Sequence, residues 1–181
     1  MNTATSADRL RELQEKDEIR DVIMRFCRGV DRLDAELIRS CFHPDSYDDH
    51  GHFKGTGPEF AAFIVEALPK YAHHTTHSVA NILIELDDND PDCAHSEAYV
   101  LAYLRRRDEE GAEWLDIFAG RYVDRFERRR GEWRIARRIV VHDWSTSFAL
   151  GTSGFSLPLD GFVQGRRDRE DLVYKAASER L

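Results

Sequence analysis

The chain has 181 residues, enough for one domain with a real core, and its 41% hydrophobic and 33% charged residues are the proportions of a soluble globular protein. A formal net charge of −8 and an isoelectric point near 5.5 argue against nucleic acid as the main partner. The apolar runs are too short to span a bilayer, the N-terminus "MNTATSADRLRELQEKDEIR" has no apolar signal core, and three cysteines without a CxxC pair give neither a disulfide framework nor a thiolate zinc site, so a cytoplasmic protein is expected.

The first periodic segment runs from Asp8 to Val30. Ile19, Val22, Ile23, Phe26, Cys27 and Val30 recur at three- and four-residue spacing and make one apolar helical stripe. Asp34 reads as the N-cap of a short second helix with Leu37, Ile38, Cys41 and Phe42 on its buried face, and Pro44 as its end. A third helix follows "KGTGPEF": Pro58 suits its first turn, Phe60, Phe63, Ile64, Ala67 and Leu68 give it an apolar face, and Pro69 closes it.

A short strand is expected near residues 46–53. From residue 76 the period becomes two, with strands predicted over 76–86, 94–106, 114–127 and 133–144. The acidic run from Asp87 to Asp92 is a turn, and Arg129-Arg130-Gly131-Glu132 is a hairpin turn. After Trp144 the chain reads as irregular; "SGFSLPLDGF" is expected to fold over a pocket as a lid or to pack on another subunit, and a charged end forms a short helix. Helices first and antiparallel strands after define an α+β domain. Long strands joined by tight turns curl, and three helices over the open face leave a conical pocket, so the expectation is a cone-shaped, barrel-like curved sheet of four to six strands.

Two residues carry the chemical argument. Asp31 falls on the shoulder of the first helix's apolar stripe, where a carboxylate costs free energy unless something satisfies it. It either closes the turn before the second helix or points into the pocket and holds a histidine. His77 opens a strand in which, if the pleat is regular, His77, Val79, Asn81 and Leu83 share a face. An imidazole there has a structural reading and a chemical one, as a general base whose tautomer a carboxylate fixes. In "YDDHGH" the groups of Asp48, Asp49, His50 and His52, joined by His73 and His74, could form a metal set, but no established ligand spacing is present, and a polar loop with two exposed histidines is the expected reading. Arg121, Arg138, His142, Asp143 and Trp144 read as surface or subunit-contact residues of the last two strands.

The stretches "IRDVIMRFCRGVDRLDAELIRSCFHPDS", "HFKGTGPEF", "HHTTHSVANILIEL" and "GRYVDRFERRRGEWRIARRIV", within residues 15 to 144, resemble SnoaL-like members of the nuclear-transport-factor-2-like superfamily. They are most similar to the branch of scytalone dehydratase and hexachlorocyclohexane dehydrochlorinase. In that branch an aspartate closing the first helix pairs with a strand histidine, which takes a proton from carbon while water or halide leaves. Asp31 in "GVD" and His77 in "HHTTHSVAN" match those positions. Phe26 stands in the region of the dehydrochlorinase lysine, and Tyr47, Tyr99 and His95 are the candidates for the dehydratase's tyrosines and second histidine, with Tyr47 first as proton donor.

The resemblance implies a cofactor-independent, metal-free lyase of the dehydratase type, or an isomerase or cyclase using the same base, or a non-catalytic binding module of the same fold. Phe26, Val30, Phe63 and Leu83 are expected to line an apolar pocket, with His50, Asn81 and Tyr99 as further substrate contacts. The expected partner is a small cyclic hydrophobic substrate, polyketide, steroid-like or aromatic-derived, with no nucleic acid and no membrane. A dimer or trimer is expected, with residues 1–145 as the domain and 146–181 as an extension.

Overall fold

Helix α1 (Ser6–Arg32) begins at a capping box: the Thr5 side chain accepts from the Asp8 amide, and the Asp8 carboxylate accepts from the Thr5 amide. Its predicted stripe is its buried face, from Ile19 through Val30, and Asp31 is buried with it. Leu33 ends the helix in the left-handed conformation, its amide donating to the Gly29 and Val30 carbonyls. The helix end is thus closed by backbone, which leaves the Asp31 carboxylate free for other work. In this computed structural model residues 5–151 and 158–175 are described.

Asp34 caps α2 (Ala35–Ser40) through the Leu37 amide. Pro44 does not end that helix. The helix stops at Ser40, and Pro44 lies inside strand β1 (Phe42–Asp49). There the parallel pairing with β6 (Glu132–Ala149) jumps from Phe42↔Ile135 to Tyr47↔Arg137, so an irregular stretch absorbs the missing proline N–H. Strand β2 (Lys54–Gly55) leads into α3 (Gly57–Tyr71), which has a second capping box, Thr56 with Glu59. Pro69 does not close α3 either. It sits within the last turn, and the helix runs on to Tyr71. Glycine is required at 57, because a Cβ there would lie 2.1 Å from the Phe42 ring.

Strands β3 (His74–Leu86), β4 (Cys93–Arg107), β5 (Glu113–Arg129) and β6 form an antiparallel meander. The turn between β5 and β6 places Arg130 and Gly131 at positive φ, 56° and 83°, as a two-residue hairpin turn needs. The full order is β2-β1-β6-β5-β4-β3, a mixed, curved sheet of six strands. Its end strands β2 and β3 do not pair, so it is an open sheet and not a barrel. Strand β6 runs to Ala149, past the predicted end at Trp144.

The helices fill the concave side. The core joins Ile19, Ile23 and Phe26 of α1 and Phe60 of α3 to Phe126 of β5 and Ile135 of β6. Beneath it lies a fully buried ion pair: Arg138 donates from Nε and Nη2 to the two Asp124 carboxylate oxygens at 2.8 and 2.6 Å, and both side chains are 0% exposed. The guanidinium carbon lies 4.2 Å from the Phe26 ring centre and 4.1 Å from that of Tyr122, a double cation–π contact. Burial works against this charge, and Asp124 outweighs it, so the guanidinium stays protonated.

Residues 153–157 of "SGFSLPLDGF", the stretch expected as a lid or subunit contact, lie outside the described residues, and the chain that follows returns to the helices. Tyr174 Oη and Arg169 Nη2 donate to Asp34, and Arg167 Nη1 donates to the Ala72 carbonyl. A short 3₁₀ turn, Leu172–Tyr174, is the helix expected at the charged end.

A buried ion pair that loses one member leaves an uncompensated charge. Asp124→Ala is therefore expected to destabilise the fold by about 3–5 kcal/mol in urea unfolding, and Asp124→Ala combined with Arg138→Met is expected to recover most of that loss. A double variant no more stable than the single one contradicts the assignment.

Candidate active site

The end of α1 meets the edge strand. Because β3 pairs only with β4, the His77 amide that faces away from β4 has no strand partner, and Asp31 Oδ2 accepts from it at 2.9 Å. The other oxygen, Oδ1, lies 2.7 Å from His77 Nδ1. One carboxylate thus holds both the backbone and the ring of the same histidine. A carboxylate oxygen only accepts, so the ring proton on that side belongs to Nδ1 and Nε2 keeps its lone pair. Nε2 has no hydrogen-bond partner among the described residues.

His77 is on the wall of a cavity of about 230 Å³. Phe26 and Val30 come from α1, Phe60, Ile64 and Leu68 from α3, and Thr75, Ala102, Leu104, Phe118, Tyr122 and Val140 from the sheet. His50 is its other imidazole. The Thr75 hydroxyl is buried without a partner. Burial above all, with Cys27 beside it, pushes the Tyr122 hydroxyl well above its ordinary pKa, so it remains protonated. Burial likewise raises the Cys27 thiol to about 12, which rules it out as a nucleophile at neutral pH. A larger depression of about 500 Å³, at His43, Pro44, Arg129, Arg130, Glu132 and Arg134, is charged and lies at the hairpin end, away from His77.

The expected site residues divide between inside and outside. Asp31, His77, Phe26, Val30 and His50 meet at the cavity. Tyr47 does not: on β1 the neighbours Ser46 and Asp48 point inward, and Tyr47 stands on the outer face with the Arg137 guanidinium 4.9 Å over its ring. Tyr99 is on the outer face of β4, between inward Ala98 and Val100, and is 45% exposed. Phe63 is on the flank of α3 against Phe53, since the inward stripe is Phe60, Ile64 and Leu68 at four-residue spacing. Asn81 and Leu83 are exposed because β3 carries a bulge. The pairing passes from Val79↔Val100 to Ile82↔Ala98, one extra residue on β3, and from there Ile82, Ile84 and Leu86 turn inward in place of Leu83.

The weighed metal set does not converge. Asp48 binds His50, Asp49 binds Lys54, His73 binds Glu113, and His52 is exposed. Among the described residues the three-donor group is Asp87, Cys93 and His95, at the β3–β4 turn. Sequence reasoning also passed over Tyr122 and Asp124, and it expected at the surface or a subunit contact Arg138, which is fully buried against Asp124. The alternation of "FAGRYVDRF" carried the signal for the first two.

Comparison with known proteins places these residues in a family. The model of the SnoaL-like domain matches residues 11–139. No functionally curated protein matches the sequence. Among solved structures, a type 2 hexachlorocyclohexane dehydrochlorinase is 24% identical with a TM-score of 0.68, over 83% of this chain and 98% of that one. A protein from Novosphingobium aromaticivorans, provisionally named a scytalone dehydratase, is 22% identical with a TM-score of 0.65, over 84% and 97%. A protein of unknown function from Mycobacterium tuberculosis is 22% identical with a TM-score of 0.63, over 78% of each chain. At these identities the likeness is one of fold.

The Asp31 geometry has a direct spectroscopic consequence. In ring ¹⁵N NMR, neutral His77 is expected to carry its proton on Nδ1 in the wild type and to lose that preference in Asp31→Asn. A His77 ring protonated on Nε2 in the wild type contradicts the geometry.

Proposed function

This chain belongs to the SnoaL-like domain family, and we propose that it is a cofactor-independent lyase of the dehydratase type, with His77 as general base and Asp31 as the group that orients it. The observation that carries the reading is the Asp31–His77 contact of 2.7 Å at the wall of an apolar cavity, with Nε2 unengaged. Nε2 removes a proton from carbon beside an electron-withdrawing group, the C–H electron pair forms the new double bond, and the neighbouring C–O bond breaks. Asp31 stabilises the imidazolium that results.

The lining favours an uncharged cyclic substrate. A cavity of about 230 Å³ lies below the usual range of about 300–1,000 Å³ for ligand sites, which favours a one- or two-ring molecule over a four-ring steroid. Thr75 and Tyr122 offer hydroxyls for its polar atoms. An isomerase would share the first step and differ in where the proton is returned.

The test is a set of small cyclic β-hydroxy ketones, with water loss followed by the absorbance of the conjugated product. Wild type is expected to turn over at least one of them, and His77→Gln and Asp31→Asn are expected to lower kcat/KM by about 10²–10⁴-fold. Turnover that survives His77→Gln contradicts the reading.

A further inference from the structure

The cavity holds a second imidazole–carboxylate pair that the base mechanism leaves unused. His50 Nδ1 lies 2.7 Å from Asp48 Oδ2, and Asp48 is 0% exposed. The His50 amide donates to the Phe53 carbonyl at 2.9 Å, and its ring stacks on Phe60 with centres 4.0 Å apart and planes 17° from parallel. The ring is therefore fixed at its backbone, its face and its Nδ1. Its remaining nitrogen, Nε2, has no protein partner among the described residues, and the side chain lines the same cavity as His77.

The two pairs come from opposite flanks of the sheet. In the order β2-β1-β6-β5-β4-β3, Asp48 belongs to the end of β1 and His50 directly follows that strand, His77 belongs to β3, and three strands separate β1 from β3. Curvature of the sheet brings both imidazoles to one cavity of about 230 Å³. Such a cavity has two chemically distinct walls, each with an unengaged ring nitrogen.

The walls differ in what is buried beneath them. On the His50 side the buried groups are the Asp48 and Asp124 carboxylates and the Arg138 guanidinium; Arg138 is engaged by Asp124, and Asp48 is hydrogen-bonded to His50. Packed around it are Phe26 of α1 and Phe60 of α3, which are uncharged, and Tyr122 of β5, which stays protonated. The remaining titratable groups are His77 of β3, which lines the cavity, and behind the lining Asp31, bonded to His77, and Cys27, both of α1.

We propose that His50, held by Asp48, is the acid of this site, donating its Nε2 proton to the oxygen that leaves as His77 removes the proton from carbon. The proposal rests on the lyase reading above and supplies the donor that Tyr47, on the outer face, does not. The step balances: the C–H proton goes to His77 Nε2, the C–H pair becomes the C=C bond, the C–O pair stays on oxygen, and that oxygen takes the His50 proton and departs as water. The enzyme is left with a charged His77 and a neutral His50, and exchange with solvent restores both. The substrate class is narrowed to small rings with an activated C–H on one side and a hydroxyl on the other.

Binding of para-nitrophenol tests the donor without the natural substrate, because its visible absorbance separates phenol from phenolate. At a pH below the point where free nitrophenol ionises, wild type is expected to bind it as the phenolate. His50→Gln and Asp48→Asn are expected to weaken that binding at least tenfold, and Tyr47→Phe, on the outer face of the sheet, is expected to leave it intact. In the wild type, the ¹⁵N signal of His50 Nε2 is expected to move on binding, a readout that needs no variant. The proposal is overturned if wild type does not bind the phenolate, if the His50 signal stays still, or if Tyr122→Phe abolishes binding while His50→Gln does not. Loss of turnover in neither His77→Gln nor Asp31→Asn, with phenolate binding intact, overturns the base assignment and leaves the acid assignment standing.

Discussion

One carboxylate joins the helical layer to the sheet at the point where the chemistry is placed. Asp31 is the last buried residue of α1, and it accepts from both the amide and the ring of His77 on the edge strand. A buried carboxylate is tolerated only when its lone pairs are engaged, and two hydrogen bonds to one residue meet that demand while fixing the ring's rotation. The same contact gives the edge strand a partner for an amide that has none in the sheet. Structure and the proposed reactivity are therefore not separable here: the bond that secures the edge of β3 also fixes the ring whose Nε2 has no partner among the described residues.

The floor of the cavity obeys a similar constraint. Arg138 and Asp124 face each other across β5 and β6 with no exposure, and two aromatic rings of the cavity region, Phe26 and Tyr122, cover the guanidinium. Asp48 adds a second carboxylate to this cluster and carries His50. A buried pair of this kind contributes little net stability against an apolar replacement. What it supplies is a fixed electrostatic environment beside an otherwise apolar pocket, in which interactions with a reacting group are stronger than in water. The cavity is lined by groups from α1, α3 and four strands, with His50 from the segment after β1, so its shape depends on the whole domain.

Much of this was legible from local pattern. The α1 stripe, the Asp34 cap and the Arg130-Gly131 turn are decided by neighbours within four residues, and the structure has them where the spacing puts them. Asp31 and His77 stand 46 positions apart, and only resemblance to a family joined them in the sequence. What was not legible are the register shifts. A strand read with a strict period of two puts Asn81 and Leu83 beside His77, and the extra residue in β3 turns both away. Counting the last hairpin outward from Arg129↔Glu132 pairs Asp124 with Arg137. The irregularity between Arg125 and Phe126 passes Asp124 on to Arg138 and creates the buried pair. Tyr47 failed for the complementary reason: it is in the expected strand, on the face the pleat turns outward. Bulges are set by three-dimensional packing, and a single sequence does not mark them.

The central claim is that His77 Nε2 removes a proton from carbon inside the cavity, and it does not depend on the leaving group. The most direct measurement is α-proton exchange of a small cyclic ketone such as 2-tetralone in D₂O, followed by NMR with wild type, His77→Gln and Tyr47→Phe. The account predicts exchange above the buffer rate for wild type, the same rate for Tyr47→Phe, and the buffer rate for His77→Gln. Exchange in His77→Gln equal to that of wild type would contradict it and leave the cavity as a binding site only.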